Sequence, residues 1–169
     1  MEKRRSFIKK SGLLLAASAL PLGAFAKLLG LKKSPPATKV VTLYVNTAQI
    51  DSRNINASCN FGQGSGISNE EYTIVVNVGD TVTWRGVSSN APNTDVVNIV
   101  SINHEGGNNV FDSNILKSSI VGGHEEVSAV VKSKADGGNK YKYKISFTVF
   151  NGENKRNGTF HIDPKIEVH

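Results

Sequence analysis

Val76-Asn77-Val78-Gly79-Asp80-Thr81-Val82-Thr83-Trp84-Arg85 is the stretch on which the fold turns. The run before it, from Tyr72 to Val78, is rich in β-branched residues, and Gly79-Asp80 supplies the residue types that reverse a chain. After the turn, Val82 and Trp84 share one face of a strand while Thr81, Thr83 and Arg85 share the other. A period of two on one side of a Gly-Asp turn predicts a strand with one buried face, entered through a hairpin. Asp is favoured in such a turn for its bonds to nearby backbone, so Asp80 reads as structural and Trp84 as core.

The same pattern extends outward in both directions. Val40 to Val45 is a β-branched run, and Val96 to Ile102, Val127 to Lys132, Lys140 to Phe150 and Gly158 to Val168 are further candidates. In the longest run, Tyr141, Tyr143, Ile145, Phe147 and Val149 line one face, with Lys140, Lys142, Lys144, Ser146 and Thr148 opposite. Gly- and Asn-rich clusters separate the runs: Gly62 to Gly66, Gly106 to Asn109, Gly122-Gly123 and Gly137 to Asn139. After residue 26 the only helical signal is a turn near Asp112 to Leu116. The prediction is an all-β antiparallel Greek-key sandwich over residues 40–169, preceded by a flexible linker over 27–39 that contains Pro35-Pro36.

The first 26 residues read differently. Lys3-Arg4-Arg5-Ser6-Phe7-Ile8-Lys9 resembles the twin-arginine export motif, followed by an apolar run from Leu13 to Leu22 and the small-residue site Ala24-Phe25-Ala26. A plain Sec signal shares basic residues and an apolar core, but the arginine pair followed by Ser-Phe-Ile-Lys favours the twin-arginine route. The apolar run is too short for a membrane span, which needs about 20 residues. The expected location is the periplasm or beyond, and the mature chain of 143 residues after Ala26 is ample for one core.

Charge and cysteine usage exclude several functions. The net charge of +6 sits at the front: five basic residues and one acid in the leader, then Lys27, Lys32, Lys33 and Lys39. From Val40 onward 11 basic residues face 13 acidic ones, which gives no reason to expect a nucleic-acid partner. Cys59 is alone, so an internal disulfide and a cysteine metal cluster are both excluded.

Two family resemblances follow from these motifs. Val76 to Trp84 resembles the V-x-x-G-D-x-V-x-W segment of cupredoxins, and Gly138-Asn139-Lys140-Tyr141-Lys142-Tyr143 resembles their G-x-Y-x-Y strand. That resemblance implies a sandwich with blue copper, held by two imidazoles, a thiolate and a weak axial thioether. All four ligand positions depart from it. Ile145 stands at the cysteine, Thr148 is near the second imidazole, Asp95 to Ile99 holds no histidine, and the one methionine is Met1. Type 1 copper is therefore not expected, and no cofactor is assigned.

The second resemblance is to the PixA/AidA-type inclusion-body proteins. It rests on Val45-Asn46-Thr47-Ala48-Gln49-Ile50, on Gly79 to Arg85, on the aromatic strand to Phe150, and on Asp163-Pro164-Lys165-Ile166. Ile162 stands where that family often has an aromatic residue. The family has no established catalytic residues, so the resemblance implies an accumulated or secreted sandwich and no reaction.

Other chemistry is thin. Gly64-Ser65-Gly66 lacks the strand-to-helix context of a nucleophile elbow, and no helix follows it to cradle a phosphate. The four histidines lie at 104, 124, 161 and 169, without an H-x-H or H-x₃-H unit. His104, His124 and Glu125 are the candidate metal ligands, placed at loop tips, although solvated loop histidines are the commoner meaning of such spacing. The expected function is an exported non-catalytic binding or structural module with no catalytic residues, its partner an unknown protein or small molecule. Its variable surface is expected in the loops Ser52 to Asn69 and His104 to Gly123. The alternative is a periplasmic metal-binding or electron-transfer protein of the cupredoxin type.

Overall fold

Fourteen segments of regular backbone, nearly all extended, run through residues 34–169, which are the residues the computed structural model describes. The expected export signal and most of the expected linker lie outside them. The strands are β1 (Thr38–Val45), β2 (Cys59–Asn60), β3 (Thr73–Val76), β4 (Thr81–Ser88), β5 (Val96–Gly106), β6 (Ile115–Lys117) and β7 (Ser119–Val121). They continue as β8 (His124–Val130), β9 (Tyr141–Asn151), β10 (Asn154–Lys155), β11 (Phe160–Ile162) and β12 (Lys165–Val168). One helical turn, α1 (Ile55–Ser58), and a short 3₁₀ turn at Gly137–Asn139 interrupt them.

The strands form two sheets. One runs β2-β1-β4-β8-β7 and the other β3-β12-β9-β5-β6, with β10 and β11 also paired to β9. The all-β expectation holds, but the sheets are mixed and not purely antiparallel. β1 runs parallel to β4 over eight residue pairs, and β12 runs parallel to β3.

This corrects the reading of Val76 to Arg85. β3 and β4 belong to different sheets, so Gly79-Asp80 is a crossing from one sheet to the other and not a hairpin turn. A crossing and a hairpin have the same local sequence pattern, because each needs only a strand, a reversal and a strand. The partners decide, and they come from distant parts of the chain. Asp80 locks the crossing: its Oδ2 accepts the Asn77 N–H at 2.9 Å and its Oδ1 accepts the Ala37 N–H at 2.9 Å. The Asp80 carbonyl in turn accepts the Val131 N–H, so one residue ties together the start of β1 and the end of β8.

Other boundaries moved for similar reasons. β1 begins at Thr38, two residues before the expected start, because Thr38 and Lys39 pair with Thr81 and Val82. The expected turn of helix near Asp112 is absent; Asp112 adopts φ 56° and the chain enters β6 at Ile115. The run expected from Gly158 to Val168 divides into β11 and β12 at Asp163-Pro164, where proline has no N–H to continue a ladder.

The core lies between the sheets. Trp84 and the inward row Tyr141, Tyr143, Ile145, Phe147 and Val149 are fully buried, as the alternation predicts. Trp84 meets Phe111 and Tyr143 edge-on, with centroids 5.5 and 5.7 Å apart. The backbones of β4 and β5 approach so closely that a Cβ on Gly86 would fall 2.3 Å from Val97 Cγ1 and 2.6 Å from the Val97 carbonyl oxygen. Only glycine fits there.

Candidate functional site

The candidate metal ligands are on strands, not at loop tips. His104 is in β5, and its ring stacks on Tyr141 with centroids 5.2 Å apart and planes 16° apart. Its Nε2 lies 3.1 Å from the Gly107 carbonyl oxygen, where an Nε2–H donates. The ring thus covers the end of the aromatic core and closes the β5 turn. His124 and Glu125 open β8 in the other sheet. The Glu125 N–H donates to Asn98 Oδ1 at 3.0 Å. Among the described residues no group of three or more His, Cys, Asp or Glu side chains is placed to hold a metal ion. The reason is register: extension of β5 to Gly106 carries His104 into one sheet while a hairpin places His124 in the other.

Cys59 is buried in β2, and burial pushes its thiol up to about 12. It is protonated and a poor nucleophile at neutral pH. His161 in β11 faces Ser146 in β9, with Nδ1 and Oγ 3.1 Å apart and Asn103 Nδ2 donating to the same hydroxyl at 3.3 Å. Ser146 is buried in mid-strand, so this hydroxyl–imidazole contact ties three strands together across the outer face of the sheet.

The loop between Ser52 and Asn69 carries a different kind of site. It borders an open surface cavity of about 470 Å³ whose lining includes Asn56, Asn60, Gln63, Ser65 and Glu70. Two amides hold its shape. Gln63 Oε1 accepts the Phe61 N–H at 2.6 Å, while its Nε2 donates to Asn69 Oδ1 at 2.8 Å and to the Ile67 carbonyl at 3.3 Å. Asn69 is buried and donates to the carbonyls of Cys59 at 3.0 Å and Asn56 at 3.2 Å. Phe61 stacks on Tyr72 at 4.6 Å, which fixes the loop to the strand that follows it. The wall is therefore neutral and amide-rich, with Glu70 its one carboxylate.

At the same end of the domain a polar network joins three connections. Asp95 accepts Thr47 Oγ1 at 2.5 Å, Asn151 Nδ2 at 2.8 Å and the Gly152 N–H at 3.1 Å. Arg156 donates from Nη2 to the carbonyls of Thr47 and Ala48 and from Nε to Asn151 Oδ1. The Thr47 hydroxyl, followed by the other bonds, holds the Asp95 carboxyl below its usual range. Sequence reasoning named the 52–69 loop but not Gln63, Asn69, Asp95 or Arg156. Asp95 and Arg156 have partners up to 109 residues away, while Gln63 and Asn69 bond within 13 residues through side-chain amides that no sequence pattern marks.

Comparison with known proteins agrees at the level of fold. No family profile and no curated protein matches the chain. A solved structure, the inclusion body protein PixA from Burkholderia cenocepacia J2315, aligns with a TM-score of 0.59 at 16% identity, covering 83% of this chain and 99% of that one. The bradyzoite-specific antigen BSR4 from Toxoplasma gondii aligns at a TM-score of 0.25 with 8% identity, 83% of this chain and 46% of that one, too weakly to bear on the fold. This chain shares the fold of the PixA inclusion body protein.

Proposed function

We propose that this chain is an exported, non-catalytic β-sandwich acting as a structural or binding module of the PixA-like kind. The carrying observation is the fold likeness, which takes in almost the whole of the PixA chain. The side chains support the same reading. The strongest chemistry-bearing residues are spent on structure: His104 on the core edge, His161 on Ser146, Asp80 and Asp95 on backbone and hydroxyl groups. Among the described residues, the loop cavity and the sheet edges are surfaces open to a partner.

The route of export rests on Arg4-Arg5, whose place before an apolar run and Ala24-Phe25-Ala26 favours translocation of a folded domain. A cupredoxin-type scaffold without copper accounts for such a route through folding alone.

Native mass spectrometry of the protein recovered after export tests the module reading. The expected species is the polypeptide without stoichiometric metal, beginning near Lys27. One copper or zinc per chain would overturn this reading in favour of a metal-binding or electron-transfer protein, with His104, His124 and Glu125 the first positions to substitute.

A further inference from the structure

We propose that β7 is a self-association edge, at which two copies of this chain pair antiparallel about Ile120. This deepens the structural-module reading by naming the partner. β7 is the last strand of its sheet, and β6, one residue earlier in the chain, is the last strand of the other. Only Ser118 separates them, its N–H donating to the Val100 carbonyl at 3.1 Å. One rim of the sandwich therefore presents both sheet edges together. Ile115, Ile120 and Val121 project from it, with Ile120 78% exposed.

The hairpin geometry shows which backbone groups are open. Gly122 and Gly123 take φ of 59° and 87°, as a two-residue type I′ turn requires at both central positions. Val121 and His124 flank that turn and form its hydrogen-bonded pair. The next pair, Ile120 and Glu125, exchanges no ladder bonds, so their backbone groups point away from each other. Glu125 bears this out, since its N–H is taken on the far side by Asn98 Oδ1. Ile120 must then direct its own N–H and C=O to the open side, where the sheet ends.

An outward N–H and C=O on one residue are what an antiparallel partner strand needs, and a second copy supplies the complement by a two-fold axis through Ile120. Ile120 would exchange both bonds with the partner's Ile120, and Ser119 would face the partner's Val121. From Ser118 to Gly123 there is no charge to repel an identical strand. At the ends the signs are complementary: this register sets Lys117 beside the partner's Gly123, at the turn leading into its Glu125 and Glu126. The opposite edge strand of the seven-stranded sheet, β3, is preceded by Glu70-Glu71, which would oppose such pairing. The rim at β6 and β7 lacks that guard.

Sedimentation of the full chain from micromolar to millimolar concentration is the test, with three variants. The unmodified protein is expected to form a concentration-dependent dimer. Ile120→Pro deletes the outward N–H without removing a bond within the hairpin, and Ile120→Asp sets like charges on the two-fold axis; either should weaken dimerisation about tenfold or more. Ile120→Thr keeps the N–H and should retain part of the association. Because Ile120 is mostly exposed, the Asp variant folds even if the proline strains the strand. A monomer throughout the range, or a dimer undiminished by Ile120→Asp, would overturn the proposal and leave the exported-sandwich reading in place.

Discussion

Asp80 shows how one residue settles a connection that its neighbours leave open. Its carboxylate accepts two backbone N–H groups, and those bonds hold its pKa below the ordinary range, the bond from Asn77 contributing most. The sign of the pH effect follows. The folded state prefers the ionised form, so the stabilisation is present above the unfolded value of about 4 and is lost as pH falls through the lower folded value. Asp80→Ala should lower the melting temperature at neutral pH and flatten its fall on acidification, which thermal melts across pH would register. Trp84 belongs to the same scale: fully buried against Phe111 and Tyr143, it should cost about 3–5 kcal/mol as Trp84→Ala in denaturant titration. Cys59 should resist a thiol reagent until the domain unfolds, because its thiol is both buried and raised to about 12. The burial of Trp84 was legible from its alternation with Val82. The role of Asp80 was half legible: its residue type announced backbone bonding, but nothing local announced Ala37 as a partner.

Single elements were read well where their periodicity was long and poorly where pairing decided. β9 is the best case, since its five inward side chains stand out over a strand of eleven residues. β6 and β7 are the opposite case. Each has three residues, too few for a period, and each exists because a neighbouring strand accepts it. The 52–69 loop was visible as a loop from its Gly, Asn and Ser content, but its cavity depends on Gln63 and Asn69 finding carbonyls that composition does not reveal. Asn69→Ala leaves the Cys59 carbonyl and Gln63 Nε2 without this partner, and should destabilise the domain by about 1–3 kcal/mol with faster amide exchange across the loop. Unchanged exchange there would mean the loop is held without Asn69, by the Phe61–Tyr72 stack and the remaining Gln63 bonds. Gly86→Ala should be costly for a different reason, since its Cβ would meet Val97 backbone that cannot move aside.

For the whole molecule, one sandwich accounts for what the chain keeps and what it lacks. Its sequence resembles cupredoxins in two stretches and begins with a segment that resembles a twin-arginine leader, which together suggested copper, while the ligand positions hold Ile145, Thr148 and no histidine from Asp95 to Ile99. The functional reading rests on the fold, because that is what the chain shares with PixA. The fold in turn rests on Val76 to Arg85 carrying the backbone from one sheet to the other. Cross-strand proton contacts in a nuclear magnetic resonance spectrum of the domain measure this directly. The account predicts backbone contacts from Val40 to Thr83 and from Thr42 to Arg85, and from Ile166 to Ile74. A ladder joining Val76 to Thr81 and Val75 to Val82 would instead make the stretch a hairpin, and would contradict both the mixed sheets and the likeness on which the function is proposed.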